Sequence, residues 1–95
     1  MRKSSEGFRT LLKEIIGENI KELRKKKGFN QTKLGKIVNL SKQQLSLYET
    51  ANNLPPIDVV IMLAKALDCS VADIYTPEKL DSLKNVFNFD EVFSK

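Results

Sequence analysis

Ninety-five residues, 41% of them apolar and 29% charged, suffice for one domain with one core and short extensions, and argue against disorder. The chain has no histidine, one cysteine and no glycine-rich phosphate loop. Catalysis is therefore not expected, nor is a metal or any other cofactor. The formal charge of +4 is unevenly placed: residues 1–42 hold twelve Lys and Arg against four Glu, and residues 43–95 hold four Lys against eight Asp and Glu. A polyanionic partner would meet the first half.

The start, residues 1–7, is basic and polar and leads into no signal-type apolar segment. Nothing later approaches the ~20 apolar residues of a membrane span, so a cytoplasmic protein with no membrane partner is expected. Residues 8–27 read as helix, with Ile16, Ile20 and Leu23 at i, i+4 and i+7 and charged residues opposite. Glu18 with Lys21, and Glu22 with Lys25 or Lys26, add favourable pairs. Gly17 is a weak point in that helix, and residues 1–15 are expected as an N-terminal arm or helix extension. Gly28 supplies the stop.

A short second helix opens after Asn30, a good N-cap, with Leu34, Ile37 and Val38 as its apolar edge. Gly35 within it costs about 1 kcal/mol relative to alanine, which predicts close approach of a neighbouring helix. Asn39 and Leu40 form a tight turn, because asparagine tolerates the left-handed conformation. Ser41 opens a third helix, with Gln44 at capping-box spacing and Leu45 and Tyr48 facing inward. Residues 50–56 are a loop stiffened by Pro55 and Pro56. A fourth helix, about residues 57–67, has an expected buried stripe of Ile57, Val60, Ile61, Ala64 and Leu67, leaving Val59 and Met62 as apolar surface. Cys69 is expected as a small buried residue in a reducing compartment. Ser70 and Asp73 cap a short fifth helix containing Val71 and Ile74, which Pro77 ends. Leu80, Leu83 and Phe87 suggest a sixth helical piece.

The pattern over residues 31–49, two short helices joined by a turn of two or three residues, can place its second helix in a DNA major groove. The groove is ~12 Å wide and admits one α-helix. The helix that enters it needs short hydrogen-bonding or apolar side chains on its first turn and along one further face. Lys42, Gln43, Gln44, Ser46 and Leu47 meet that demand. Glutamine bonds adenine in bidentate fashion, lysine reaches guanine acceptors and leucine touches the thymine methyl. By themselves Gln43, Gln44 and Ser46 read more readily as a solvated polar face; the whole pattern in register changes the balance.

From Ile16 to about Tyr75 the chain resembles the lambda-repressor-like, or Cro/Xre-type, helix-turn-helix family. The matching text is Ile20-Lys21-Glu22-Leu23-Arg24 with Gly28-Phe29-Asn30-Gln31, then Leu34, Leu40-Ser41, Leu45 and Glu49. It continues through Pro55 and Leu63-Ala64-Lys65-Ala66-Leu67 to Val71 and Ile74. The resemblance implies an all-α fold, a compact five-helix DNA-binding domain over residues 16–76. A C-terminal extension, residues 77–95, would add a short helix for packing or dimerisation. It further implies that the third helix, about residues 41–50, enters the major groove with Lys42, Gln43, Ser46 and Leu47 at base-reading positions. Gln31 would contact phosphate through its side chain and its helix N-terminus, and Gln44, Thr50, Asn52 and Asn53 would meet the sugar-phosphate backbone. Arg24 and Glu49 would form a partly buried structural ion pair between helices one and three.

The chain departs from the family at Gly35, where alanine is usual, and at Asn39 and Ala51, where glycine is usual. Lys33 replaces an acidic residue. Ala51 leaves the path after the third helix open.

The implied function is sequence-specific binding of double-stranded DNA by a transcriptional regulator. Repression is expected, since nothing resembles an activation domain. The alternative is an antitoxin or protein-interaction module on the same fold. One recognition helix reads only a half-site, so a homodimer is expected. Phe87, Phe89 and Phe93 should pack on something: their own domain, a second subunit or a partner protein.

Overall fold

Proline is absent before residue 55, and the first long helical pattern runs without a break. It forms α1, Arg2–Lys26. The computed structural model describes residues 2–75, with side chains from Gly7 onward. Among them lie four further helices, α2 (Gln31–Val38), α3 (Lys42–Glu49), α4 (Ile57–Ala66) and α5 (Val71–Tyr75), and no strand. Pro77, the sixth helical piece and the three C-terminal phenylalanines lie outside the described residues. At 1.5 Å per residue α1 is ~37 Å long, most of the molecule's 43 Å long axis.

Gly17 does not interrupt α1. A Cβ there would collide with the backbone carbonyl oxygen of Tyr48 and press on that of Glu49, so the glycine lets the end of α3 lie directly on α1. Gly28 ends the helix as expected, at φ 80°, with the Phe29 amide donating to the Arg24 carbonyl at 3.1 Å. That bond, spanning back past a left-handed residue, is the Schellman closure. Arg24, Lys25 and Lys26 occupy the last turn, where positive charge complements the helix dipole.

Asn30 caps α2, its side chain accepting from the Lys33 amide at 2.7 Å. The helix buries Leu34, Gly35 and Val38. Ile37, expected on this edge, is instead 49% exposed. Asn39 takes φ 60° and ψ 45°, and the Leu40 amide reaches back to the Gly35 carbonyl at 2.8 Å. The turn folds so tightly that a Cβ on Gly35 would strike the Leu40 carbonyl oxygen. The close approach expected there from a neighbouring helix therefore comes from the interhelical turn. The helix-on-helix approach is at Gly17.

Pro56 precedes α4 without a side-chain cap. The buried residues of α4 are Val59, Val60, Leu63 and Ala64, with Leu67 buried just beyond. The expected stripe is thus corrected: Ile57 is 60% and Ile61 47% exposed, and Val59, expected on the surface, is in the core. Met62 is exposed as expected. Eight of the ten residues of α4 are apolar, so periodicity alone offers two stripes, and packing selects one. A reciprocal capping box opens α5: Asp73 accepts from the Ser70 amide at 2.9 Å, and Ser70 accepts from the Asp73 amide at 3.2 Å.

The core joins Ile16 and Ile20 of α1, Leu34 and Val38 of α2, Leu45 and Tyr48 of α3, Val60 and Leu63 of α4, and Ile74 of α5. Buried Asn19, which no sequence signal singled out, donates to the Ile74 carbonyl at 2.6 Å and ties α5 to α1. Cys69 is half-buried rather than buried. Burial first, then the nearby Asp73 and Asp68 carboxylates, raise its thiol pKa, which keeps the nucleophilic thiolate scarce near neutral pH. Among the described residues no helix is long and apolar enough to cross a membrane, and no cluster of His, Cys, Asp or Glu could hold a metal ion.

Candidate nucleic-acid interface

The turn that sets α3 on α2 spans Asn39, Leu40 and Ser41. Left-handed Asn39 reverses the chain, and Ser41 accepts from the Gln44 amide at 3.0 Å to open α3. Leu45, Tyr48 and Glu49 anchor one side of α3 in the core. At 100° per residue, Lys42, Ser46, Gln43 and Leu47 then fall within one arc on the other side. Lys42, Gln43 and Leu47 are exposed, while Ser46 and Gln44 are half-buried. At eight residues the helix is ~12 Å long, comparable to the width of a B-DNA major groove. Lys33 and Lys36 of α2 and Lys25, Lys26 and Lys27 at the end of α1 are also exposed. Lys33, in the place of the family's acid, stands 5.9 Å over the Phe29 ring, within cation-π range.

Behind this face lies a bonded charge cluster. Arg24 Nε donates to Glu49 Oε2 at 2.7 Å and its Nη2 to Oε1 at 3.0 Å, a bidentate pair. The two side chains are 10% and 2% exposed. Arg24 Nη1 also donates to the Phe29 carbonyl at 2.8 Å, and Gln31 Nε2 to Glu49 Oε1 at 3.0 Å. The Arg24–Glu49 pair thus ties together the ends of α1 and α3, the α1–α2 turn and the first residue of α2. The sequence did not signal the Gln31–Glu49 bond. It occupies one of Gln31's two amide protons.

After α3 the chain turns through Ala51, at φ 65°. Thr50 Oγ1 donates to the Ser46 carbonyl at 2.7 Å and accepts from Asn52 Nδ2 at 2.7 Å. Thr50, Asn52 and Asn53 are exposed, at the end of the same helix that carries Lys42 and Gln43.

The helix-turn-helix family profile matches residues 20–74, more than half of the chain. The SPbeta prophage-derived uncharacterized HTH-type transcriptional regulator YopS of Bacillus subtilis is 41% identical over 70 residues, covering 68% of this chain and 90% of that protein. Antitoxin PezA of Streptococcus pneumoniae is 30% identical over 66 residues, 70% of this chain and 42% of its own length. The chain spans less than half the length of several curated relatives it matches, from 17% to 46%. Among solved structures, the restriction-modification controller protein C.AhdI from Aeromonas hydrophila superposes with a TM-score of 0.62 at 26% identity, covering 68% of this chain and 91% of that one. From the five-helix architecture, the matched residues and the YopS likeness, the chain belongs to the Cro/Xre-type helix-turn-helix family.

Proposed function

We propose that this protein binds double-stranded DNA sequence-specifically as a transcriptional regulator, a repressor that docks α3 in the major groove. The observation that carries the reading is the outward face of α3. Lys42, Gln43, Ser46 and Leu47 share one arc on a helix whose other side is locked in the core. In this reading those four side chains read base edges, and Gln31, Gln44, Asn52 and Asn53 meet phosphates and sugars around them. Relatives named as HTH-type transcriptional regulators, among them YopS, support the same reading. The regulator acts in the cytoplasm, as a homodimer that presents two such helices.

Alanine at Lys42 and at Gln43 tests it. Each loss should weaken binding to a selected duplex by ~1–3 kcal/mol, with a much smaller effect on random duplex. Equal losses on both duplexes would reassign these side chains to the phosphate backbone.

A second reading, an antitoxin that masks a partner protein, is favoured by the likeness to PezA. In that case the residues after Tyr75 hold the partner. The protein should then co-purify with the product of an adjacent gene, and a chain ending at Tyr75 should lose that product while still binding DNA.

A further inference from the structure

The turn after α3 turns all its backbone donors inward. The Thr50 amide donates to the Ser46 carbonyl at 2.9 Å, and the Ala51 amide to the Tyr48 carbonyl at 3.3 Å. The Asn52 and Asn53 amides both donate to the Leu47 carbonyl, at 2.9 and 3.2 Å. The Thr50 hydroxyl has a single proton, and the Ser46 carbonyl takes it at 2.7 Å. What Thr50 turns outward is a lone pair, and that lone pair holds Asn52 Nδ2 at 2.7 Å. A phosphate oxygen needs a donor, and Thr50 has none left to offer. The donors remaining on this rim are the second N–H of Asn52 and the side-chain amide of Asn53.

Ala51 lies between Thr50 and Asn52. A residue with a Cβ is held at φ 65°, a conformation that persists when surrounding bonds over-determine it, as they do at functional sites. Here those bonds are the two amides on Leu47 and the Asn52–Thr50–Ser46 chain.

Building on the DNA-binding reading, we propose that Thr50 is a positioning residue and that Asn52 is the phosphate ligand it aims. The Ser46 carbonyl orients the hydroxyl, the hydroxyl lone pair orients one Asn52 proton, and planarity of the amide then fixes the direction of the other. This replaces the direct backbone contact that the family resemblance suggests for Thr50.

The test uses the full 95-residue chain, a duplex selected from a random pool and a random-sequence duplex, titrated across a salt series. Asn52→Ala should weaken binding to both duplexes by about fivefold or more, the order expected for one bond to a charged acceptor. The salt slope should not change, because a neutral amide releases no counterion. Thr50→Val should lose a similar factor on both duplexes, and Thr50→Ser, which keeps the hydroxyl, should bind within about twofold of the parent. In the Asn52→Ala background, Thr50→Val should cause no further loss. In the free protein, Thr50→Val but not Thr50→Ser should shift the Asn52 side-chain amide resonances.

Three results would overturn the proposal: Asn52→Ala binding like the parent, additive losses in the double variant, or a Thr50→Val protein with lowered melting temperature and unchanged DNA affinity. If the parent binds no duplex, the regulator reading itself fails. The resonance shifts would still report whether Thr50 holds Asn52.

Discussion

Ala51 is the residue whose conformation and identity disagree most. An L-residue in the left-handed region costs roughly 1–2 kcal/mol, and glycine, the family's usual choice, removes the steric part of that cost. Ala51→Gly should therefore raise stability by about 1 kcal/mol, less what glycine's freer unfolded chain takes back, measured by urea unfolding. A loss of about 0.4–1 kcal/mol, the full cost of glycine's freer unfolded chain, would mean that the surrounding bonds hold the turn without strain. Arg24 and Glu49 make the opposite case, an agreement of charge, geometry and burial. Removing either partner strands the other in the interior, so Arg24→Ala and Glu49→Ala should each destabilise by ~3–5 kcal/mol. The double variant should be far less unstable than the sum, as a thermodynamic cycle would show. The Arg24–Glu49 pairing was legible through the family likeness. The bonds from Arg24 to Phe29 and from Gln31 to Glu49 were not, because they depend on how the α1–α2 turn folds back onto the pair.

At the scale of elements, helix ends were legible and helix faces only partly so. Asn30, Ser41, Ser70 and Asp73 act within three residues of themselves, so the caps on α2, α3 and α5 could be read directly from spacing. Both internal glycines were recognisable as anomalies, but their neighbours were not. Gly35 accommodates the carbonyl of its own following turn, and Gly17 accommodates the backbone of α3, more than thirty residues away in the chain. Gly17→Ala should accordingly destabilise by about 1–3 kcal/mol through overpacking against backbone, even though alanine is the better helix former. Thermal unfolding measures it. A stabilised variant would show that α1 and α3 can move apart freely. In α4 the apolar residues nearly encircle the helix. The choice between Ile57/Ile61 and Val59/Leu63 as its inner face therefore belongs to its neighbours rather than to its own pattern.

For the whole molecule, the proposed dimer makes the relevant length the distance between its two α3 helices. A homodimer that inserts one α3 per major groove reads half-sites one helical turn apart, ~34 Å. Selection from random duplexes at fixed salt should enrich a two-fold repeat with 10–10.5 bp or a multiple between half-site centres. Enrichment of one isolated half-site would count against the dimer. In the proposed complex, affinity should also fall steeply as salt rises, because exposed lysines that meet phosphates would displace condensed counterions.

The all-helical fold of the described residues was legible through the family likeness. Cap residues and turn-forming asparagine and glycine determined from sequence alone where α2, α3 and α5 begin, where α1 and α2 end, and which side chains ride on α3. These are short-range properties, decided within a turn or two of backbone. Tertiary structure alone decided which face of α4 is buried, what fills the space beside Gly17 and Gly35, and where the polar atoms of Gln31, Thr50 and Asn52 find partners. Each of those depends on atoms that the chain brings together only by folding, and no local spacing encodes them.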